Sequence, residues 1–112
     1  MTYDLILKGG TITTATDSYK GDIAVSKGRI AAIGTDLQCP GAKVVDAKGM
    51  VVMPGGIDAH THLDMPFMGA TTADDFVSGT TAAASGGTTS IVDFAIQKKG
   101  GTLREALDTW HE

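Results

Sequence analysis

The stretch Pro54-Gly55-Gly56-Ile57-Asp58-Ala59-His60-Thr61-His62-Leu63-Asp64 places two histidines two residues apart, directly after the apolar run Met50–Met53. In an extended chain successive side chains alternate between faces, so His60 and His62 project from the same face of one strand. Two imidazoles so placed can hold one metal ion, provided further ligands come from elsewhere. Imidazole suits zinc, iron or nickel, so the pair by itself names no metal. An isolated His-x-His also describes two solvated strand histidines. Here the glycines ahead of the pair favour a sharp entry into the strand. Asp58 stands two residues from His60 on the same face, where it reads as an acceptor that orients a ligand imidazole or as a cap at the strand entry.

The stretch also divides two kinds of sequence. Before it come short apolar runs separated by turn residues: Tyr3–Lys8, Thr11–Thr14, Gly21–Val25, Arg29–Gly34, Lys43–Asp46 and Met50–Met53. Gly9-Gly10 is expected to break the first two apart. Ser26-Lys27-Gly28 predicts a hairpin with glycine where φ must be positive. Ala47-Lys48-Gly49 predicts a second strand pair. No helical period is present. Residues 1–53 therefore read as a small antiparallel unit, an open sheet or part of a β-sandwich, with no evident chemistry.

From Pro54 the pattern is strand, helix, strand, helix. The histidine strand leads into a loop over 65–71. Thr72-Ala73-Asp74-Asp75 resembles a capping box and predicts a helix to about Ser85, burying Phe76, Val77, Thr80, Ala83 and Ala84. Gly86-Gly87 stops it. Thr88–Phe94 is β-branched and apolar, a buried strand. Thr102-Leu103-Arg104-Glu105 repeats the capping box, and Leu103, Ala106, Leu107 and Trp110 form a helical stripe. The class is α/β, and residues 54–112 read as the βαβα start of a parallel sheet. Two parallel strands and two helices do not enclose a metal site, so the residues are expected to be the N-terminal part of a longer protein.

Composition narrows the partners. The chain has 112 residues, one domain's worth at most, with 42% hydrophobic and 20% charged residues and a net charge of −4. Mild acidity argues against a nucleic-acid partner, which calls for a basic face. Cys39 is the single cysteine, so no internal disulfide forms. No run approaches the roughly 20 apolar residues of a membrane span. The N-terminus lacks the basic-then-apolar layout of a signal peptide. A soluble cytoplasmic protein with no membrane partner is expected.

Residues Asp46–Phe94 resemble the amidohydrolase superfamily, and more narrowly its cyclic-amidase branch, the dihydropyrimidinases or D-hydantoinases. The resemblance is carried by Val-Val-Met-Pro-Gly-Gly-Ile-Asp-Ala-His-Thr-His-Leu-Asp-Met-Pro-Phe, then Thr-Ala-Asp-Asp-Phe, then Gly-Gly-Thr-Thr-Ser-Ile-Val-Asp-Phe. It implies a (β/α)₈ barrel beside a β-sandwich, with the site at the C-terminal ends of the strands. It implies that His60 and His62 bind one of two divalent ions, zinc being expected. A carboxylated lysine and a hydroxide bridge the two ions in that branch. Two more histidines and an aspartate complete the set, all expected beyond Glu112, so no catalytic residue is assigned within the chain. The implied reaction is hydroxide attack on a cyclic amide, giving an N-carbamoyl amino acid. The implied assembly is a homo-oligomer, commonly a tetramer.

The resemblance also bears on residues around the pair. Dihydroorotases carry arginine where Asp64 stands, and it pairs with the substrate carboxylate. An acid there favours an uncharged ring such as dihydrouracil or a hydantoin; Asp64 equally reads as a loop cap. Met65, Pro66, Phe67 and Met68 form an apolar loop that lines the substituent pocket in hydantoinases, or simply packs. Lys98 and Lys99 read as solvated loop cations with no role. Asp93 is expected to bond a neighbouring backbone group, and His111 to be solvated. Non-catalytic relatives of the same fold, a stand-alone β module, and the allantoinase and dihydroorotase activities are the alternatives.

Overall fold

Residues 2–111, without the side chain of Phe67, are described by a computed structural model. They divide after Pro54 into two compact units.

In the first unit the centre is β1, Leu5–Thr13. β2 (Ser18–Ser26) pairs with it antiparallel, and β3 (Arg29–Gly34) pairs with β2 antiparallel. The β2–β3 turn has φ 51° at Lys27 and 72° at Gly28. Two positive φ values make the turn whose twist matches a hairpin, as Ser26-Lys27-Gly28 predicts. The other edge of β1 differs from expectation. β4 (Lys43–Asp46) and β5 (Val51–Val52) do not pair with each other. Both run parallel to β1, β4 beside Leu5–Lys8 and β5 beside Thr11–Ile12. Ala47-Lys48-Gly49 closes a turn, the Met50 amide donating to the Ala47 carbonyl at 3.0 Å, and the chain then resumes its direction. The unit is thus one mixed five-stranded sheet, not the purely antiparallel one expected. Ile6, Ile12, Ile23, Ala24 and Ala47 are its buried apolar residues.

Gly9-Gly10 does not separate two strands. It forms a bulge, the register with β2 stepping from Leu7↔Ile23 to Gly10↔Gly21. A bulge leaves backbone groups outside the ladder, and buried ones need another partner. Asp22, 4% exposed, supplies it. Its Oδ1 accepts the Gly9 amide at 2.8 Å and its Oδ2 the Leu37 amide at 3.0 Å. Lys8 Nζ lies 3.9 Å from the same carboxylate and donates to the Leu37 carbonyl at 3.0 Å.

The second unit is a βαβα arrangement. β6 (Gly56–Thr61) and β9 (Thr88–Asp93) pair in parallel, with α1 (Phe76–Ser85) between them in sequence and α2 (Leu103–His111) after them. Gly55 permits the strands to start side by side: a Cβ there would sit 2.1 Å from Thr89 Oγ1. The connection after β6 holds a small hairpin, β7 (Pro66–Phe67) with β8 (Ala70–Thr71).

The cap of α1 lies three residues later than predicted. Asp75 is the N-cap; its Oδ1 accepts the Ser78 amide at 2.7 Å, and Ser78 Oγ accepts the Asp75 amide at 3.1 Å. Thr72 is engaged elsewhere, its Oγ1 accepting the Met65 amide at 2.9 Å. The predicted inward face of α1 is not buried: Phe76, Val77, Thr80 and Ala84 are exposed and Ala83 only half-buried. The helix lies against β9 and touches α2 through Phe76 against Trp110, and a stripe buries only what another element covers. At α2 the predicted capping box is present, Glu105 Oε2 accepting the Thr102 amide at 2.6 Å and Thr102 Oγ1 the Glu105 amide at 3.2 Å. Of its stripe only Ala106 is buried. No helix among the described residues is long and apolar enough to cross a membrane.

Replacing Asp22 tests the first unit. Hydrogen bonds to a charged group contribute about 1.5–3 kcal/mol each, so Asp22→Asn, which offers one acceptor to two amides, is expected to destabilise by about 2–3 kcal/mol. Urea unfolding measures this; a change below about 0.5 kcal/mol, the usual span for an ordinary surface position, would contradict the assigned role.

Candidate metal centre

The strand carrying the histidines is irregular where they sit. The register of β6 with β9 runs from Asp58↔Ile91 to Thr61↔Asp93, three steps on one strand against two on the other. The extra residue falls in the Ala59-His60 segment. Such bulges bend a strand and re-aim its side chains. The His60 amide donates to Asp58 Oδ1 at 3.1 Å. Asp58 therefore serves the backbone of the bulge, and the expectation that it orients an imidazole gives way to this.

Beyond the bulge the two imidazoles converge. Their Nε2 atoms lie 3.0 Å apart, with ring centroids at 4.9 Å and planes at 73°. The donor set can be tested against a metal. Two nitrogens each about 2.0–2.1 Å from a tetrahedral ion stand roughly 3.3 Å apart, close to the observed separation. The same distance also suits one Nε2–H donating to the other ring. Among the described residues no group of three or more His, Cys, Asp or Glu side chains gathers to hold an ion. The pair thus offers half of a tetrahedral set. Phe94 stacks on His60, centroids 4.3 Å apart and planes at 27°. His62 Nδ1 is buried without a partner among the described residues.

Asp93 holds the segment from the neighbouring strand. Its Oδ1 accepts Thr61 Oγ1–H at 2.7 Å and the Leu63 amide at 3.1 Å; its Oδ2 accepts Trp110 Nε1–H at 2.7 Å. The expected bond to a neighbouring backbone group is the one to Leu63. Partial burial pushes the Asp93 pKa up. The bonds from Trp110, Thr61 and Leu63, with the nearby His62, outweigh that and leave it below the ordinary carboxylate value.

The remaining site candidates lie along an open groove of about 630 Å³, whose lining includes Leu63, Asp64, Met65, Met68, Phe94 and Trp110. Asp64 sits at φ 49° with its carboxylate exposed, and its amide donates to the Asp74 carbonyl at 2.9 Å. Met65 is half-buried. The Phe67 side chain, the third expected pocket residue, lies outside the described residues. Lys98 and Lys99 are exposed. His111 is exposed, edge-on to Trp110 at 5.0 Å. Neither Phe94 nor the three-way bonding of Asp93 was legible in the chain's local pattern. Their signal was indirect: parallel pairing of the two predicted strands brings 93–94 beside 61–62.

Comparison with known proteins shows the family. Residues 51–110 match the amidohydrolase family, and the chain belongs to that family. D-hydantoinase of Geobacillus stearothermophilus is 58% identical over 106 residues, which are 95% of this chain and 22% of that protein. Dihydropyrimidinase of Rattus norvegicus is 47% identical over 111 residues, 95% of this chain and 21% of that protein. A crystal structure of D-hydantoinase matches with a TM-score of 0.89 at 57% identity, covering 95% of this chain and 23% of that one. The chain thus spans less than a quarter of the length of each of these relatives.

The depressed pKa of Asp93 has a defined sign. A carboxylate lowered by folding contributes stability above its unfolded value, about pH 3.9, and that contribution is lost as pH falls through the folded value. The stability gap between wild type and Asp93→Asn is expected to be full at about pH 6 and to close below about pH 4. Chemical denaturation across that range reads it; a gap independent of pH would contradict the assignment.

Proposed function

We propose that this chain is the N-terminal part of a metal-dependent hydrolase that opens cyclic amides, dihydropyrimidines and hydantoins, to N-carbamoyl amino acids. The observation that carries the reading is the convergence of His60 and His62 Nε2 at 3.0 Å. Similarity to D-hydantoinase and dihydropyrimidinase supports the substrate class. In this reading β6, α1, β9 and α2 are the first βα units of a (β/α)₈ barrel, and residues 1–53 belong to a β-sandwich beside it. The imidazole pair ends the first barrel strand, the end at which such barrels carry their sites.

His60 and His62 would hold one of two divalent ions, zinc being suited to imidazole donors. The remaining ligands come from parts of the protein outside residues 1–112. The bound ions supply Lewis acidity, lowering the pKa of water and polarising the amide carbonyl. This chain's residues bind and shape. Both histidines would present Nε2 to the ion, the two atoms already facing one point. Phe94 covers one face of His60 and limits its tilt. Asp64 sets a negative charge on the groove, which disfavours a substrate carboxylate and favours an uncharged ring. Met65 offers apolar, adaptable contact to a ring substituent. Hydrolysis adds water across the ring C–N bond, hydroxyl to the carbonyl carbon and hydrogen to the nitrogen.

The test uses the full-length protein. Dihydrouracil and hydantoin are expected to turn over, with allantoin and dihydroorotate poor by comparison. His60→Ala and His62→Ala are each expected to lose metal by elemental analysis and to lower kcat/KM by about 10³-fold or more, the scale of losing the group that stabilises developing charge. A folded protein that retains both histidines yet binds no metal and opens no cyclic amide would falsify the reading. Residues 1–112 alone are expected to show no turnover, since two imidazoles are half of a tetrahedral ligand set.

A further inference from the structure

We propose that Asp93 is a positioning residue for the His60–His62 pair, and that Trp110 holds Asp93 in place. The proposal rests on reading the pair as metal ligands. Its basis is how the segment is restrained. The bulge at Ala59-His60 takes the backbone out of register with β9 immediately before the histidines converge. A ladder so interrupted does not by itself set the direction of the side chains that follow. Two kinds of bond restore the restraint. The Phe94 amide donates to the Thr61 carbonyl at 3.2 Å. Asp93 Oδ1 then takes both the Thr61 hydroxyl and the Leu63 amide, the residues on either side of His62. The backbone flanking His62 is thereby tied to β9 at two points.

The second carboxylate oxygen reaches a different element. Trp110 Nε1–H donates to Oδ2 at 2.7 Å from α2, and the Trp110 ring meets Phe76 of α1 edge-on at 5.7 Å. With one oxygen on the histidine segment and the other on the indole, the Asp93 side chain has a single orientation that serves all three donors. Asparagine cannot replace it. One of its two terminal atoms is a donor, which would face either the indole N–H or the Thr61–Leu63 pair. Asp93 donates nothing and touches no reacting atom; it acts through the direction of the imidazoles. Groups that orient metal ligands in this way commonly change metal affinity 10–100-fold when removed.

The experiment is a zinc titration of the full-length apoprotein against a chromophoric chelator. It compares wild type, Asp93→Asn, Trp110→Phe, the double variant and Asp75→Ala. The last removes the α1 cap and loosens the fold without touching the pair. Asp93→Asn is expected to weaken zinc binding about 10–100-fold and Trp110→Phe about 3–10-fold. The double variant is expected to match Asp93→Asn, because the indole acts only through the carboxylate. Asp75→Ala is expected to bind as wild type does. Trp110→Phe keeps the ring against Phe76 and loses one donor, so it carries the test if Asp93→Asn does not fold. Zinc affinity unchanged in folded Trp110→Phe or Asp93→Asn, or equal weakening in Asp75→Ala, overturns the proposal. Wild-type protein that takes up no zinc overturns the metal reading itself, a different result from wild-type uptake that the variants leave unchanged.

Discussion

The carboxylate of Asp93 gathers three donors from three places: the hydroxyl of Thr61, the amide of Leu63 and the indole of Trp110. Everything around the histidine pair depends on that convergence. β6 and β9 are joined there beyond the end of regular pairing, and α2 is attached to the sheet by its indole. A charged acceptor is suited to the task, since bonds to it contribute about 1.5–3 kcal/mol each where neutral ones contribute about 0.5–1.5. It also costs desolvation, which here is partial because the residue is half-buried.

The same device recurs where the backbone departs from the ladder. In the first unit Asp22 accepts the Gly9 amide of the β1 bulge and the Leu37 amide. In the second, Asp58 accepts the His60 amide of the β6 bulge. Each irregularity leaves an N–H without a strand partner, and each is met by an aspartate close by. Burial separates them in weight. Asp22 is 4% exposed and irreplaceable by water, whereas exposed Asp58 competes with solvent for the same bond. The bulges themselves differ in place. That of β1 lies in the central strand of its sheet, and that of β6 lies directly before two converging imidazoles.

The second unit shows how much of an α/β pattern depends on what stands opposite. α1 and α2 carry apolar residues at helical spacing, yet only Ala106 is buried. Leu103 and Val77 each stay 75% exposed. The two-stranded sheet covers a narrow band of α1, and α2 reaches it through the Trp110 indole on Asp93. The exposed stripes lie within residues 51–110, the span that matches the amidohydrolase family.

Local sequence determined a good part of this protein. The hairpin at Lys27-Gly28 follows from the turn residues, and the capping box at Thr102–Glu105 from a hydroxyl and a carboxylate three apart. The order of strands and helices after Pro54 follows from periodicity. The common aim of His60 and His62 follows from their spacing of two. Tertiary structure decided the rest, because each of those features turns on a partner far along the chain. β4 and β5 lie end to end along β1 because that edge was free to accept both in parallel. Thr72 lost its place as helix cap because Met65 engaged its hydroxyl, leaving Asp75 to start α1. Asp58 turned to a backbone amide because the strand bulged. Asp93, Phe94 and Trp110 became part of the histidine site because parallel pairing brought β9 and the chain that follows it alongside, a contact that no local pattern encodes.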